Sequence, residues 1–307
     1  MLERKRTLLG KIEATYAVDP TPVPGTDAIL EKNLDIREIG EELNRDFARS
    51  SLSPLPHVIG EKYGELKFQT ELKGSGAAGT APEIGKLFRA ARFAETIIPA
   101  TSVAYDPTSA SASSMTFYVY RDGILHKLTG ARGTCDVDLT VGKYGAINWT
   151  FQGLYNAVVD SALVSGTYNA TLPPVVLNAA FSVGAYAAVA TKLSLNMANE
   201  FALSRDLSAA NGIREVLITG CDGRGGSFDP EAVLEATHSF FANWASAAQA
   251  ALSITVGSVA GNRCVITAPK AQYKSIAPGN RDKIYVYEIP IRLAQNAGDD
   301  EVKFLFN

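Results

Sequence analysis

A chain of 307 residues, 46% hydrophobic and 20% charged, can bury one large core or two medium ones. Its formal net charge of −3 removes any general electrostatic grip on nucleic acid, and no run reaches the roughly 18 apolar residues of a membrane-crossing helix. Three widely spaced cysteines, Cys135, Cys221 and Cys264, form no paired motif, which argues against a disulfide framework or zinc site and predicts reduced thiols.

The N-terminus is basic through Arg4, Lys5 and Arg6 but turns polar again at Lys11 and Glu13. That interval is too short for the apolar region of a signal peptide, so the chain is expected to be kept without export. Residues 1–33 are expected to be an arm laid on the body, with a short helix over 7–16 and an extended path through Pro20, Pro22 and Pro24. Leu34, Ile36 and Ile39 open a strand. Residues 42–60 then form a long connection whose Phe47, Leu52, Leu55 and Val58 need a surface to lie on.

In the next segment Leu66, Phe68, Thr70 and Leu72 alternate with Lys67, Gln69 and Glu71, the period of a half-buried strand. A Gly-rich turn over 74–79 follows, then a helix with Thr80 as N-cap, Pro82 and Glu83 in its first turn, and an apolar stripe of Ile84, Leu87, Phe88 and Ala91. Gly74, Gly76 and Gly79 match the G-x-G-x-x-G pattern of dinucleotide-binding folds. Such a fold places its first strand in a parallel sheet covered on both faces, which requires a nearly all-apolar strand. This strand has a polar side chain at every second position, so the glycines are assigned to a tight reversal. A nucleotide-binding enzyme built on this turn is the alternative function.

Strands then follow one another. Met115–Arg121 leads through Asp122-Gly123, a hairpin signal, into 124–128. Val137, Leu139 and Val141 alternate with polar residues, as do Ile147, Trp149 and Phe151, which predicts antiparallel sheet with one wet face. Residues 161–180, with Pro173-Pro174, read as a connection.

Beyond it the order repeats. Leu193, Leu195 and Met197 with residues 200–206 echo 34–46, down to Leu203-Ser204-Arg205-Asp206 against Leu43-Asn44-Arg45-Asp46. A strand over 215–219, a turn at Gly223, Gly225 and Gly226, and a helix opened by Asp229-Pro230-Glu231 and carrying Val233, Phe240, Phe241 and Trp244 echo the first strand-turn-helix unit. Residues 252–256 answer 116–120, residues 264–268 answer 126–130, and Ile284 to Leu293 take the place of 147–155. Tandem duplication is the simplest account. The expected fold is mainly β with flanking α-helices: two tandem β-sandwich or barrel units, each with one helix. The first spans 34–160, including the long loop 42–60, the linker spans 161–180, and the second unit spans 181–307.

Chemistry is sparse. His57, His126 and His238 fall in a loop, a strand and a helix, and neither G-x-S-x-G nor H-E-x-x-H occurs. Asp299-Asp300-Glu301 reads as a charged turn before a last strand, and the pairs Tyr118/Tyr120 and Tyr285/Tyr287 as sheet packing or protein contact. No catalytic residue, cofactor or metal ligand is assigned. Alternating strands leave pairing edges, and one way to remove them is closure into a ring of copies. With two similar halves, three chains supply six positions. A membrane β-barrel pore is the remaining rival and requires lipid-facing strands of about ten residues.

Several stretches resemble tail tube proteins (major tail proteins) of tailed bacteriophages: residues 11–22 (KIEATYAVDPTP), 71–76 (ELKGSG), 121–133 (RDGILHKLTGARG) and 268–270 (APK). The resemblance implies packed β-sheets with a flanking helix, polymerised as stacked rings around a lumen that carries genome DNA to the host. It implies a virion-tail location, assembly in the host bacterial cytoplasm, and the tape measure, tail terminator and distal tail proteins as partners besides further copies of the chain. DNA would pass without specific binding, so an acidic or neutral lining is expected, with Glu65, Glu71, Asp136 and Asp138 as lumen candidates at wet strand positions. Termini and one long loop commonly join the rings of such tubes. Here that points to residues 1–33 and 42–60, with Tyr16, Arg45, Phe47, Leu52, Leu55 and Val58 as contact candidates.

Overall fold

The computed structural model describes residues 2–110 and 112–307. Strands account for 51% of the chain and helix for 4%. In chain order the first half contains β1 (Arg6–Ile12), β2 (Ala28–Ile29), β3 (Lys32–Leu43), β4 (Val58–Glu71), α1 (Gly85–Ala90), β5 (Phe93–Ile98), β6 (Ser102–Pro107), β7 (Met115–Arg121), β8 (Ile124–Thr140), β9 (Ala146–Tyr155) and β10 (Val159–Asp160). The second contains β11 (Ala180–Val183), β12 (Ala190–Asn196), β13 (Glu200–Arg205), β14 (Ile213–Gly220), β15 (Gly225–Pro230), α2 (Phe240–Ala245), β16 (Ala250–Val256), β17 (Cys264–Tyr273), β18 (Ala277–Arg281), β19 (Ile284–Ala294) and β20 (Lys303–Phe306).

Every pairing between these strands is antiparallel. One unbroken path of eight strands runs β3-β4-β9-β8-β12-β15-β19-β18. Its alternation is that of a sheet buried on one face: Leu66 and Phe68 on β4, Ile147, Trp149 and Phe151 on β9, and Val137 and Leu139 on β8 all point into the core. Strand β8 joins this path to a second layer. Its residues 124–131 pair with β7, which pairs with β1, while residues 136–140 pair with β12. A register shift between Thr129 and Arg132 marks where β8 passes from one layer to the other, as β-bulges do.

The pairing order in the two halves is the same. The first runs β1-β7-β8-β9-β4-β3 and the second β11-β16-β17-β19-β15-β12. Helix α1 lies between β4 and β7 in sequence, and α2 between β15 and β16. The halves interlock twice: β12 of the second pairs with β8 of the first, and β20 bridges β17 to β6.

The core centres on aromatic rings. Phe88 of α1 packs against Trp149 at 5.2 Å, Tyr105 at 5.0 Å and Phe304 at 4.8 Å between ring centres. The Trp149 indole N–H donates to Thr70 Oγ1 at 2.8 Å, so its one polar atom is satisfied.

Three expected elements differ. Residues 6–12 form a core strand instead of a helix, with Leu8 and Leu9 fully buried on opposite faces. Leu8 enters the main core and Leu9 a smaller one with Ala28, Tyr118 and Leu125, so burial on both faces erased the alternation that signals a strand. The first helix is one and a half turns with Ile84 at its N-cap position and no side-chain cap, so Thr80 does not cap it. The expected stripe of Ile84, Leu87, Phe88 and Ala91 is nevertheless buried. Asp229-Pro230-Glu231 opens no helix: β15 runs to Pro230, and α2 covers only 240–245, so His238 sits in the turn before it. Gly225 and Gly226 lie within β15 because both flanking strands press on it; a Cβ there would stand 2.3 Å from the Ile291 oxygen and 2.1 Å from the Ser194 oxygen.

Candidate assembly and lumen surfaces

Over β4, β9, β8 and β12 the outer face of the eight-stranded path is polar, whereas toward β18 the same face also carries Gly225, Pro290, Val286 and Gly279. Glu65, Lys67 and Gln69 of β4 lie opposite Gln152, Thr150 and Asn148 of β9, which lie opposite Arg132, Thr134 and Asp136 of β8, and Ala146 stands between Glu71 and Asp138. Ser194 and Asn196 of β12 continue the row opposite Asp138 and Asp136. All four lumen candidates, Glu65, Glu71, Asp136 and Asp138, therefore share one face.

Electrostatics on this face are partly neutralised. Lys67 holds Glu65 at 2.7 Å and Lys73 holds Glu71 at 3.3 Å. Gln69 donates to Asn148 Oδ1 at 2.8 Å, and Asn148 donates to Asp138 at 3.0 Å, a polar relay across three strands. Among the described residues Asp136 has no such neutraliser. Partial burial, then the charge of Asp138, raises its carboxyl above the ordinary aspartate value. Lys67 and Lys73 are paired, whereas Lys32 opposite Gln69 and Lys192 opposite Thr140 form no ion pair among the described residues, so the face carries charges of both signs.

The second surface is the projecting tip of the β3-β4 hairpin with its loop, residues 44–57. Leu43, Val58 and Ile59 on the strands are 45%, 52% and 45% exposed, and Phe47 and Leu52 in the loop are 68% and 106% exposed. Leu55 is half-buried and Arg45 exposed. Arg49 ties the loop to itself through the carbonyls of Ser53 and Pro54. Contact candidates Arg45, Phe47, Leu52, Leu55 and Val58 thus lie together on one arm. Tyr16 is elsewhere. Its hydroxyl accepts the Val216 N–H at 2.8 Å, its ring lies under Arg132 at 5.0 Å, and burial pushes its pKa up to about 12.

Tyr16 belongs to a polar joint between the halves that sequence reasoning missed. Arg132, buried, donates to Glu215 at 2.9 Å and to the Val216 carbonyl at 2.6 Å. Asn199 donates to the carbonyls of Ala91 and Gly133, and Arg224 donates to Asn199 Oδ1 and the Met197 carbonyl. The only sequence signal was Ala131-Arg132-Gly133 interrupting the alternation of a strand. Glu13 is a second missed residue. Its buried carboxylate accepts from Ser114 Oγ at 2.5 Å, Thr116 Oγ1 at 2.6 Å and the Gly130 N–H at 2.7 Å.

The Gly-rich turn is occupied by its own chain. The Gly74 N–H donates to Asn262 and the Gly76 N–H to the Gly261 carbonyl at 3.0 Å, while Gly76 and Gly79 have φ of +90° and +69°. Amides committed in this way cannot cradle a phosphate. The histidines stand apart: His57 near Glu42, His126 near Glu38, and His238 stacked on Tyr186 at 4.2 Å. Among the described residues no helix is long and apolar enough to cross a membrane.

No curated protein matches the chain. A family model, that of the phage tail tube protein, matches residues 3–293. With an antiparallel β-fold, one polar sheet face and an apolar arm already in view, that match over nearly the whole length means that the chain belongs to the phage tail tube protein family.

Proposed function

We propose that the protein is the structural subunit of a phage tail tube, polymerised as stacked rings into the conduit through which genome DNA is ejected. The observation that supports this best is the eight-stranded path itself. Among the described residues β3 pairs only with β4 and β18 only with β19, so the path ends in two open edges. Open edges are a hazard in a lone subunit and are removed when copies close a barrel. The common pairing order supports two related units, up to residue 160 and from residue 181, joined by 161–180. Three chains then furnish six similar positions in a trimeric ring of pseudo-six-fold symmetry.

In this reading the polar face lines the lumen and the arm of residues 42–60 reaches the next ring. Glu65, Glu71, Asp136 and Asp138 keep the lining from attracting phosphate, so DNA slides past without specific binding. No cofactor takes part. The tape measure, tail terminator and distal tail proteins are the remaining partners, met in the host bacterial cytoplasm during tail assembly. Negative-stain electron microscopy of the purified chain tests the proposal: rings or tubes with a central channel are expected. Monomers that persist at high concentration, and also beside tail-assembly partners, would end it.

A further inference from the structure

Within one chain the halves are joined by a strand pairing. Strand β12 lies between β15 of its own half and residues 136–140 of β8 in the other. In the first half β3 holds the place that β12 holds in the second. Each pairs with the strand that precedes its half's helix, and each leads into a projecting hairpin. β3 differs in that its outer edge is open.

The complementary edge lies at the far end of the path. The last part of β8 pairs with the start of β9 and, on its other side, receives β12. β18 pairs with the start of β19 in the same manner, residue 281 opposite 284, and nothing among the described residues lies on its other side. Ala277, Pro278 and Asn280 there are exposed.

The arms show the same asymmetry. The β13-β14 hairpin, carried by β12, lies over β8 and β9 of the first half. There Val216 is fully buried and Ile213 is 3% exposed, while at the margin of this contact, on β4, Arg205 holds Glu61 at 2.6 Å and the Asn211 carbonyl accepts the Lys62 N–H. The arm carried by β3, matched to it through Leu43-Asn44-Arg45-Asp46, holds Leu43, Val58 and Ile59 in solvent. One arm is covered within the chain, whereas its counterpart is held by β13-β14 only at its root, at Glu61 and Lys62, and beyond that has no cover among the described residues.

We infer that a second copy supplies it: the outer edge of β3 in one chain pairs antiparallel with β18 of the next, repeating between chains the β12-β8 pairing within a chain. The root of the β3-β4 arm, at Leu43, Val58 and Ile59, then lies across the second half of that neighbour as β13-β14 lies across the first half of its own chain, and the loop 44–57 stays free to reach the next ring. This rests on the ring proposed above and names the edges that close it. Because the two edges differ, the contact is head-to-tail and propagates around an axis. Pro278 lacks an N–H and leaves β18 one donor short, so the ladder must be supplemented by burial of the arm.

Paired cysteines test the edges in the full chain. In a Cys221→Ser background, Ala277→Cys, which lies on the same sheet face as residues 35, 37 and 39, is combined in turn with Asp35→Cys, Arg37→Cys and Ile39→Cys, and the assembled protein is oxidised. Covalent dimers and trimers on non-reducing gels are expected for at least one pair, with single-cysteine variants remaining monomeric. Hydrogen exchange of the unsubstituted protein supplies a second measurement. Amides of 32–43 and 277–281 are expected to slow by about tenfold or more on assembly. Intact rings in which these amides exchange as in the monomer, or in which no pair links, would overturn the edge assignment and leave the ring standing. Absence of any ring from the unsubstituted chain is a different result and removes both.

Discussion

Phe88 is fully buried and meets five other rings, those of Phe93, Tyr105, Trp149, Phe304 and Phe306. A short helix of six residues contributes little stability of its own, so what α1 adds comes from this side chain and its buried neighbours Ile84 and Leu87. Phe88→Ala is expected to cost about 3–5 kcal/mol, measured by chemical denaturation, because the surrounding strands cannot collapse into the space. A loss below about 1 kcal/mol would mean that the rings repack. Asp136 offers a test of sign. Its raised carboxyl holds a proton in the folded chain at pH values where the unfolded chain has released it, so its contribution to stability falls as pH rises through that window. Asp136→Asn is therefore expected to raise the melting temperature slightly at pH 7 and to leave it unchanged in strong acid. The gain is small because the side chain meets solvent. A melting temperature lowered at pH 7 would show that the carboxylate is stabilising where it stands.

Among the elements, the β3-β4 arm carries the clearest functional expectation. Its loop makes hydrogen bonds chiefly to itself, and its apolar side chains are in solvent, so the core does not depend on it. Deleting residues 45–58 is expected to leave the far-ultraviolet spectrum and melting temperature of the subunit nearly unchanged while abolishing tubes. Unfolding of the variant would place the loop in the core, and normal tubes would remove it from the contact between rings. Strand β1 shows what periodicity misses. Leu8 and Leu9 are adjacent, and a strand covered on both faces shows no alternation, so the segment resembled a helix. Strand β15 failed for the converse reason. Gly225 and Gly226 suggested a turn, yet they lie in mid-sheet because two flanking backbones approach too closely for any side chain.

For the whole molecule the decisive feature is a sheet whose outer face is polar across β4, β9, β8 and β12. If that face lines a channel, its charge governs passage. Asp136→Lys with Asp138→Lys is expected to make assembled rings retain short duplex DNA at low salt and release it as salt rises, whereas unsubstituted rings do not. Salt-dependent binding is read by filter retention, and unchanged behaviour would place the face away from the channel. The sequence by itself determined the β class, the wet and buried faces of β4, β8 and β9, the wet strand positions of the four acidic residues, and the echo between halves, since all of these are patterns of polarity along the chain. Only the tertiary structure decided that these faces belong to one sheet, that Tyr16, Arg132, Asn199 and Arg224 form a buried joint, and that one arm is covered while the other is bare. The reason is physical: alternation records whether a residue meets water, whereas strand partners, the bend in β8 and the satisfaction of buried polar groups depend on segments far apart in the chain, 200 residues in the case of Tyr16 and Val216.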